Sequence, residues 1–316
     1  MMDETKTKEL AAFIISTLIF ALPAIHQGFD WLRTIIPLIP FYYCLVLGEK
    51  EARRLIGLAL GLSALLGLLL GNFSSSVYAL LLLPAGFSLA RSGKLGRSPA
   101  WSGGVTTLLV LLAWLFGGLL QWTVTDINPY QGALTALDQG FETMATTYQG
   151  QDMGAEMERD IQRAIAQARA KMPAIFPAIL VMAALVVSWL NLVIGNRLLR
   201  KGGKNPPWPR FRNWRLPDNL IWLLIAATSG LIVFSGSLGN VFLNMVLVLI
   251  SIYVIQGLAV LQAMFKRWSV PILVRAIIYA LIGLQTFSVP LLAVLGVMDI
   301  WKDLGNIYPD QGQQPS

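Results

Sequence analysis

The feature that constrains this chain most is a succession of nine long apolar runs separated by short polar clusters. About 20 apolar residues in a helix cross the hydrocarbon core of a bilayer. Of the 316 residues, 55% are hydrophobic and 13% are charged, against about 25% charged in an ordinary soluble domain. The runs predict an all-α, polytopic transmembrane helical bundle of about 8 to 9 spans. They cover residues 10–25, 32–48, 55–71, 77–90, 101–122, 173–196, 219–237, 240–264 and 271–298.

The last run is longer than one span requires and contains Pro290. Proline lacks a backbone N–H and interrupts the hydrogen bonding of a helix. The run therefore predicts either one kinked span or two half-segments.

The third run is rich in small residues, which let helix backbones approach closely. This pattern favours close packing inside the bundle, and homodimerisation or docking of a partner subunit is the alternative. The residues concerned are Gly57, Gly61, Ala64, Gly67 and Gly71.

The distribution of charge predicts the orientation, because cationic loops are held on the cytoplasmic side of a membrane. With the N-terminus inside, 18 of the 24 Lys and Arg residues lie in inner segments, but only 6 of the 17 Asp and Glu residues do. The sequence therefore predicts a multi-pass protein of the bacterial inner membrane with a cytoplasmic N-terminus. The basic net charge of +7 is explained by topology, and no nucleic-acid partner is needed to account for it.

One connection, residues 123–172, is far longer than a turn between helices needs to be. Asn128-Pro129 marks a break, and two helical stretches follow, separated near residues 149–151. The second stretch is amphipathic, which indicates either a solvated cap with one packed face or a lid over a substrate pocket. Its apolar face consists of Met153, Met157, Ile161, Ala164, Ile165, Ala168 and Met172.

These features divide the chain into four parts. Residues 1–122 form the N-terminal transmembrane helices, and residues 123–172 form the extracytoplasmic helical loop. Residues 173–298 form the C-terminal transmembrane helices, which include a basic cytoplasmic loop at 197–218. Residues 299–316 form a polar tail.

The basic loop carries seven cations and no carboxylate between residues 197 and 215. Arginines interleaved with aromatic residues can stack on single-stranded nucleic acid. Between two spans, however, this composition favours contact with anionic lipid headgroups or with a cytoplasmic partner. The candidate docking residues are Arg200, Lys201, Lys204, Trp208, Arg210, Arg212, Trp214 and Arg215.

The sequence lacks the common signatures of catalysis and of energy coupling. It contains no phosphate-binding loop, no H-E-x-x-H and no G-x-S-x-G motif. His26 and Cys44 are the single histidine and cysteine, so one copy cannot form a site that needs two of either. No Asp or Glu lies in the middle of a predicted span, where coupled carriers commonly place one. We therefore expect neither an enzyme nor a metal or cofactor site.

Uncharged polar residues on the predicted helices are the remaining candidates for ligand binding. Buried amides most often join helices to one another, and that is the interpretation we favour. The alternative is a pocket that binds by hydrogen bonds and aromatic contact, with little charge pairing. Its candidate residues are Asn191, Asn240, Asn244, Ser251, Gln262, Tyr279 and Gln285.

Three short stretches of the C-terminal third carry a resemblance to a known family. They read LPDNLIW at 216–222, QGLAV at 256–260 and MDIWKD at 298–303. They are similar to the YybS-like family of bacterial predicted membrane proteins, whose function is unknown. That family in turn looks distantly like the substrate-binding S components of energy-coupling-factor transporters.

The resemblance implies a subunit that binds a small molecule, such as a micronutrient, for uptake. Such a subunit has no energy source of its own and relies on a separate coupling and ATPase module. The alternative is a non-transporting membrane scaffold or regulatory subunit, with the basic loop as its docking surface.

Overall fold

The computed structural model describes residues 2–126, 128–149, 155–285, 287–302 and 304. Within these residues every regular element is helical. The α-helices are α1 (Met2–Ile25), α2 (Leu38–Val46), α3 (Glu49–Leu69), α4 (Ser74–Lys94), α5 (Pro99–Thr125), α6 (Pro129–Gln149), α7 (Ala155–Lys201), α8 (Leu220–Val233), α9 (Gly236–Arg267), α10 (Ile272–Leu284) and α11 (Ser288–Lys302). A 3-10 helix, Gln27–Ile35, precedes α2, and a short one, Phe211–Asn213, lies in the basic loop.

All nine apolar runs lie on helices, which confirms the all-α, polytopic bundle. Five helices in the described residues, α1, α3, α5, α7 and α9, are long and apolar enough to cross a membrane. The 3-10 helix and α2 meet at a bend of 47°. Helices α10 and α11 meet at 113° across a break that includes residue 286. If each of these two pairs is one span, the number of spans in the described residues rises to seven. The remaining runs lie on the shorter α8 and on α4, whose last turn carries Arg91 and Lys94.

The longest helix, α7, passes through the boundary predicted between residues 172 and 173. It has 47 residues and contains Pro173 and Pro177, which gives it a length of about 70 Å. Its first turns pack against α6 and form what we call the helical hairpin, α6 together with residues 155–173. The expected break at Asn128-Pro129 is present, because the Asn128 Oδ1 accepts the Tyr130 N–H at 2.9 Å at the start of α6. Met153 lies outside the described residues.

The buried side chains form a large cluster and two smaller ones. The large cluster joins α1 to α5 with α7 and includes Phe20, Phe41, Leu89 and Leu192. The smaller clusters join α8 to α9, and one of them also includes Ala293 of α11. The large cluster and the α8–α9–α11 group therefore form two packed halves, and α7 contacts both of them.

Two glycines bring α9 and α11 unusually close together. A Cβ on Gly257 would lie 2.0 Å from the carbonyl oxygen of Leu292, and one on Gly296 would lie 2.1 Å from that of Tyr253. Neither position has room for any side chain. Close approach through small residues is a common way of packing helices in a bilayer, where burial of apolar surface adds little between helices.

The glycines of α3 do not all pack within the chain. A Cβ on Gly57 or Gly61 would have no described residue within 4 Å, whereas Gly67 lies against the turn at Asn72. Packing inside the bundle therefore explains Gly67 but not Gly57 and Gly61. Homodimerisation through this face stays a prediction.

Candidate functional site

The basic loop is fixed to the bundle by one amide and one indole. Asn196 of α7 donates to the carbonyl oxygens of Trp208 and Pro209, at 2.9 and 3.0 Å, and accepts the Trp208 N–H at 3.3 Å. The Trp208 indole N–H donates to the Arg97 carbonyl at 2.8 Å, and its ring lies 5.4 Å from that of Phe41. Trp208 is only 4% exposed. Trp208 was predicted to dock lipid headgroups or a partner, but its side chain is buried in the core.

The other predicted docking residues lie nearer the surface. Lys201, Lys204, Arg210 and Arg215 are exposed, while Arg200, Arg212 and Trp214 are half-buried. Arg200 donates to the Trp208 carbonyl at 3.2 Å, so it also helps to fix the loop. Docking of lipid or a partner on the exposed cations stays a prediction.

Past Trp208, the loop covers a groove between α5, α7 and α9. The groove has a volume of about 540 Å³. The first turn of α5 forms one edge: Ser98 caps the helix by accepting the Trp101 N–H at 3.2 Å, and Pro99 occupies the first helical turn. This start places Trp101 on the groove wall.

Aromatic rings form much of the remaining wall. Phe211 lies between Trp189 of α7 and Trp214 of the loop, with ring centroids 5.4 and 5.3 Å apart. The Trp214 indole N–H donates to the Pro209 carbonyl at 3.0 Å, which holds this segment in place. The wall opposite Trp189 includes Val248, Ile252 and Ile255 of α9. The groove is therefore mainly apolar and aromatic.

A few polar groups face this apolar surface. The Trp189 indole nitrogen is buried and forms no hydrogen bond to any part of the chain that the structure describes. Buried polar groups almost always have a partner, so this donor, on a side chain that lines the groove, is a hydrogen-bonding capacity that the described chain leaves unused. Gln256 contributes an amide to the same groove, and Ser188 has its hydroxyl bonded to the Ala184 carbonyl at 2.8 Å.

Gln256 also links the groove to a buried carboxylate. Its Nε2 donates to Asp299 Oδ2 at 2.7 Å and to the Trp214 carbonyl at 3.2 Å. Asp299 is 4% exposed. Nearby, the Arg215 Nη2 lies 3.5 Å from the Asp218 Oδ1 and donates to the Ile300 carbonyl at 3.4 Å. The loop, α9 and α11 therefore meet in one polar cluster at the end of the groove.

Sequence reasoning missed this cluster, although the signal for it was present. The three stretches that carry the family resemblance, at 216–222, 256–260 and 298–303, converge here, with Asp303 outside the described residues. From its position in the sequence, Asp299 was predicted only to lie at the end of a span. Only the fold shows that its carboxylate is buried against Gln256.

The seven predicted ligand residues lie elsewhere, and none of them lines the groove. Asn240, Gln262, Tyr279 and Gln285 are exposed on α9 or at α10, and the Ser251 hydroxyl donates to the Leu247 carbonyl of its own helix at 2.9 Å. The Asn191 amide donates to the Thr34 and Val187 carbonyls, both at 2.7 Å, and its Oδ1 has no partner among the described residues.

Asn244 joins two helices. Its Oδ1 accepts the Ala178 N–H and its Nδ2 donates to the Ala174 carbonyl, both at 2.7 Å. Asn244 and Asn191 thus have the joining geometry that was favoured from sequence, while a role of the seven residues in ligand binding stays a prediction.

The helical hairpin contains a smaller cavity of about 220 Å³, bounded by α6 and α7. Asp138 and Arg169 form a bidentate ion pair on its wall. The hydrogen bonds from Arg169 hold the pKa of the Asp138 carboxyl below its usual range. This pair fastens the two helices of the hairpin to each other. Closure of the hairpin over a pocket stays a prediction.

The fold and this site define a polytopic, all-helical membrane protein with a groove between α5, α7 and α9. The chain matches the family described as predicted membrane protein (DUF2232) over residues 10–300, and it belongs to that family. Comparison with curated proteins and with solved structures finds no match.

Proposed function

We propose that this protein is a binding subunit of the bacterial inner membrane that holds a small, mostly uncharged molecule in the groove between α5, α7 and α9. The observation that carries the proposal is the aromatic groove with an unpartnered indole N–H and an amide in its walls. Small-molecule sites are typically apolar cavities of about 300–1,000 Å³ with a few convergent polar groups.

The chemistry of the groove favours binding over catalysis. Among the described residues that line it, Arg215 is the one charged side chain. General acid–base catalysis needs a titratable group that is placed against the reacting atoms. An indole N–H and an amide instead supply hydrogen bonds that orient a neutral ligand, and the aromatic rings supply contact area.

The position of the groove supports an orientation. Its cover is the basic loop, and cationic loops are held on the cytoplasmic side. We therefore place the N-terminus and the groove's covered end toward the cytoplasm, and the helical hairpin outside. In this arrangement the ligand occupies the cytoplasmic half of the bundle, and the pocket that was expected beneath an outer lid is not the proposed site.

The binding subunit resembles S components in depending on a separate coupling and ATPase module. The chain carries no phosphate-binding loop with which to use ATP. The second candidate is a scaffold or regulatory subunit. It is favoured by the anchoring of the basic loop, because Asn196 and Trp208 hold exposed Lys201, Lys204 and Arg210 on a fixed surface.

The test uses a glycine that lines the groove. A Cβ on Gly104 would have nothing within 4 Å, so Gly104→Leu is expected to fold normally and to fill the groove. Gly61→Leu is the matched control, because Gly61 on α3 is equally unobstructed and lies away from the groove. Each protein is purified in mild detergent, and its small-molecule extract is analysed by mass spectrometry.

We expect a molecule other than a bilayer lipid to be retained by the wild type and by Gly61→Leu, and to be lost from Gly104→Leu. Equal retention by both variants, or bilayer lipids alone in the wild type, would contradict the groove as the binding site. Co-purification of an ATPase would favour uptake, and co-purification of other envelope proteins would favour the scaffold.

A further inference from the structure

A second cavity, separate from the groove, lies between α2, α3 and α4. It has a volume of about 650 Å³. Three cations line it, Arg53 of α3 and Arg91 and Lys94 of α4, together with a single carboxylate, Glu49. Its lining therefore carries an excess of positive charge.

The pairing within the cavity leaves one cation available. Glu49 is shared, with Oε1 at 2.5 Å from Arg53 and Oε2 at 3.6 Å from Lys94. Arg91 is exposed and forms no ion pair with the described part of the chain. One carboxylate cannot neutralise three cations, so the site attracts an anion.

Apart from Ser88, the rest of the cavity wall is apolar. Pro84, Phe87 and Ala90 of α4 contribute to it, as does the buried Cys44 of α2. Pro84, Phe87 and Arg91 recur at three- and four-residue spacing, so they follow one face of α4. Pro84 and Arg91 are exposed, which leaves the cavity open along this face. The Arg53 guanidinium lies 5.7 Å from the centre of the Phe87 ring, where the apolar and cationic surfaces meet.

We propose that this cavity binds the phosphate group of an anionic lipid, held by Arg91, Lys94 and Arg53, with the acyl chains along the exposed face of α4. A cationic end that continues into an apolar wall matches an amphiphile. A free phosphate ion would use the cations only and would gain nothing from Pro84 or Phe87. The site differs in place from the basic loop and does not depend on the proposed function of the groove.

The test measures lipid binding to the intact protein in detergent by native mass spectrometry. Phosphatidylglycerol is the anionic lipid, and phosphatidylcholine is the neutral-headgroup comparison. Arg91→Gln removes the unpaired cation, and Arg91→Lys keeps its charge. Arg267→Gln is the matched control, because it removes one exposed cation from the last turn of α9, outside both the lining of this cavity and the basic loop. Arg91 and Arg267 are both exposed, so neither change should prevent folding.

Loss of one cation near a membrane surface weakens the affinity for an anionic lipid about fivefold. We expect Arg91→Gln to bind phosphatidylglycerol about fivefold more weakly than the wild type. Arg91→Lys and Arg267→Gln should stay within about twofold of it. Phosphatidylcholine should bind weakly and equally to all four proteins, and added inorganic phosphate should not displace phosphatidylglycerol.

Equal weakening by Arg91→Gln and Arg267→Gln would overturn the proposal, since binding would then follow total charge and not this cavity. Displacement of the lipid by inorganic phosphate would also overturn it, because the site would then recognise a free anion.

Discussion

One hydroxyl and one amide side chain supply hydrogen bonds to the backbone of helix α7 near its prolines. Pro177 has no N–H, so the carbonyl of Pro173, four residues earlier, loses its usual helical partner. The Tyr130 hydroxyl donates to that carbonyl at 3.4 Å, and Asn244 bridges the neighbouring Ala174 carbonyl and Ala178 N–H. Unsatisfied backbone groups are costly in a bilayer, so prolines persist in spans where neighbouring side chains supply partners.

Asn244→Leu should therefore destabilise the bundle. It removes the bridge between α7 and α9, and we expect a loss of about 1–2 kcal/mol in the free energy of unfolding. Asn240→Leu is the control, because Asn240 is one turn away on the same helix and exposed. The measurement is unfolding of each variant in mixed micelles. Equal stability of the two variants would show that the Asn244 bridge contributes nothing.

At the level of elements, the sequence predicted helices well and their boundaries less well. The apolar runs gave the positions of the spans, and Asn128-Pro129 gave the start of α6. The outer helix, however, was predicted to end at residue 172, whereas α7 continues through that boundary and through Pro173 and Pro177. The partners that allow this, Tyr130 and Asn244, are 43 and 66 or more residues away in sequence. No local pattern contains such information.

The packing of α9 on α11 depends on the absence of side chains at the crossing. Gly257→Ala would place a Cβ against the Leu292 backbone, which cannot move as a side chain can. Overpacking of this kind costs about 1–3 kcal/mol or more, so thermal unfolding should occur at a lower temperature. Gly283→Ala on α10, where a Cβ would meet no described residue within 4 Å, should leave the unfolding temperature unchanged. An unaltered Gly257→Ala protein would exclude this close crossing.

The helical hairpin should loosen in acid. Arg169 lowers the pKa of Asp138 in the folded protein, so the ion pair stabilises the hairpin above the ordinary pKa of Asp, about 3.9. That stability is lost as the pH falls through the lowered folded-state value. Hydrogen exchange across 155–173, corrected for the intrinsic rate, should therefore lose protection below about pH 4.

The variant Asp138→Asn separates this pair from other effects of acid. At neutral pH, the hairpin of this variant should show less protection from hydrogen exchange than that of the wild type. Lowering the pH should cause no further loss through position 138, because that position no longer carries a carboxyl group. Wild-type protection that is the same at pH 3 and pH 6 would mean that the ion pair does not fasten the hairpin.

At the level of the whole molecule, the groove forms where the two packed halves meet. The α5 and α7 walls belong to the half built on α1–α5, and the α9 wall belongs to the half built on α8, α9 and α11. The basic loop joins the halves, with Trp208 buried in the first and Trp214 bonded to Gln256 in the second. The sequence offered a pocket of hydrogen bonds and aromatic contacts as the alternative to helix joining. The candidate residues it named do not line this groove, because every wall comes from a different helix.

The central claim is that this groove holds a ligand through Trp189 and Gln256. The most direct measurement is a cryo-electron microscopy map of the protein in nanodiscs of a single defined lipid. The account predicts compact density in the groove, with an acceptor atom within hydrogen-bond reach of the Trp189 indole nitrogen. A groove that is closed by its own side chains, or that is filled only by acyl chains of the nanodisc lipid, would contradict it.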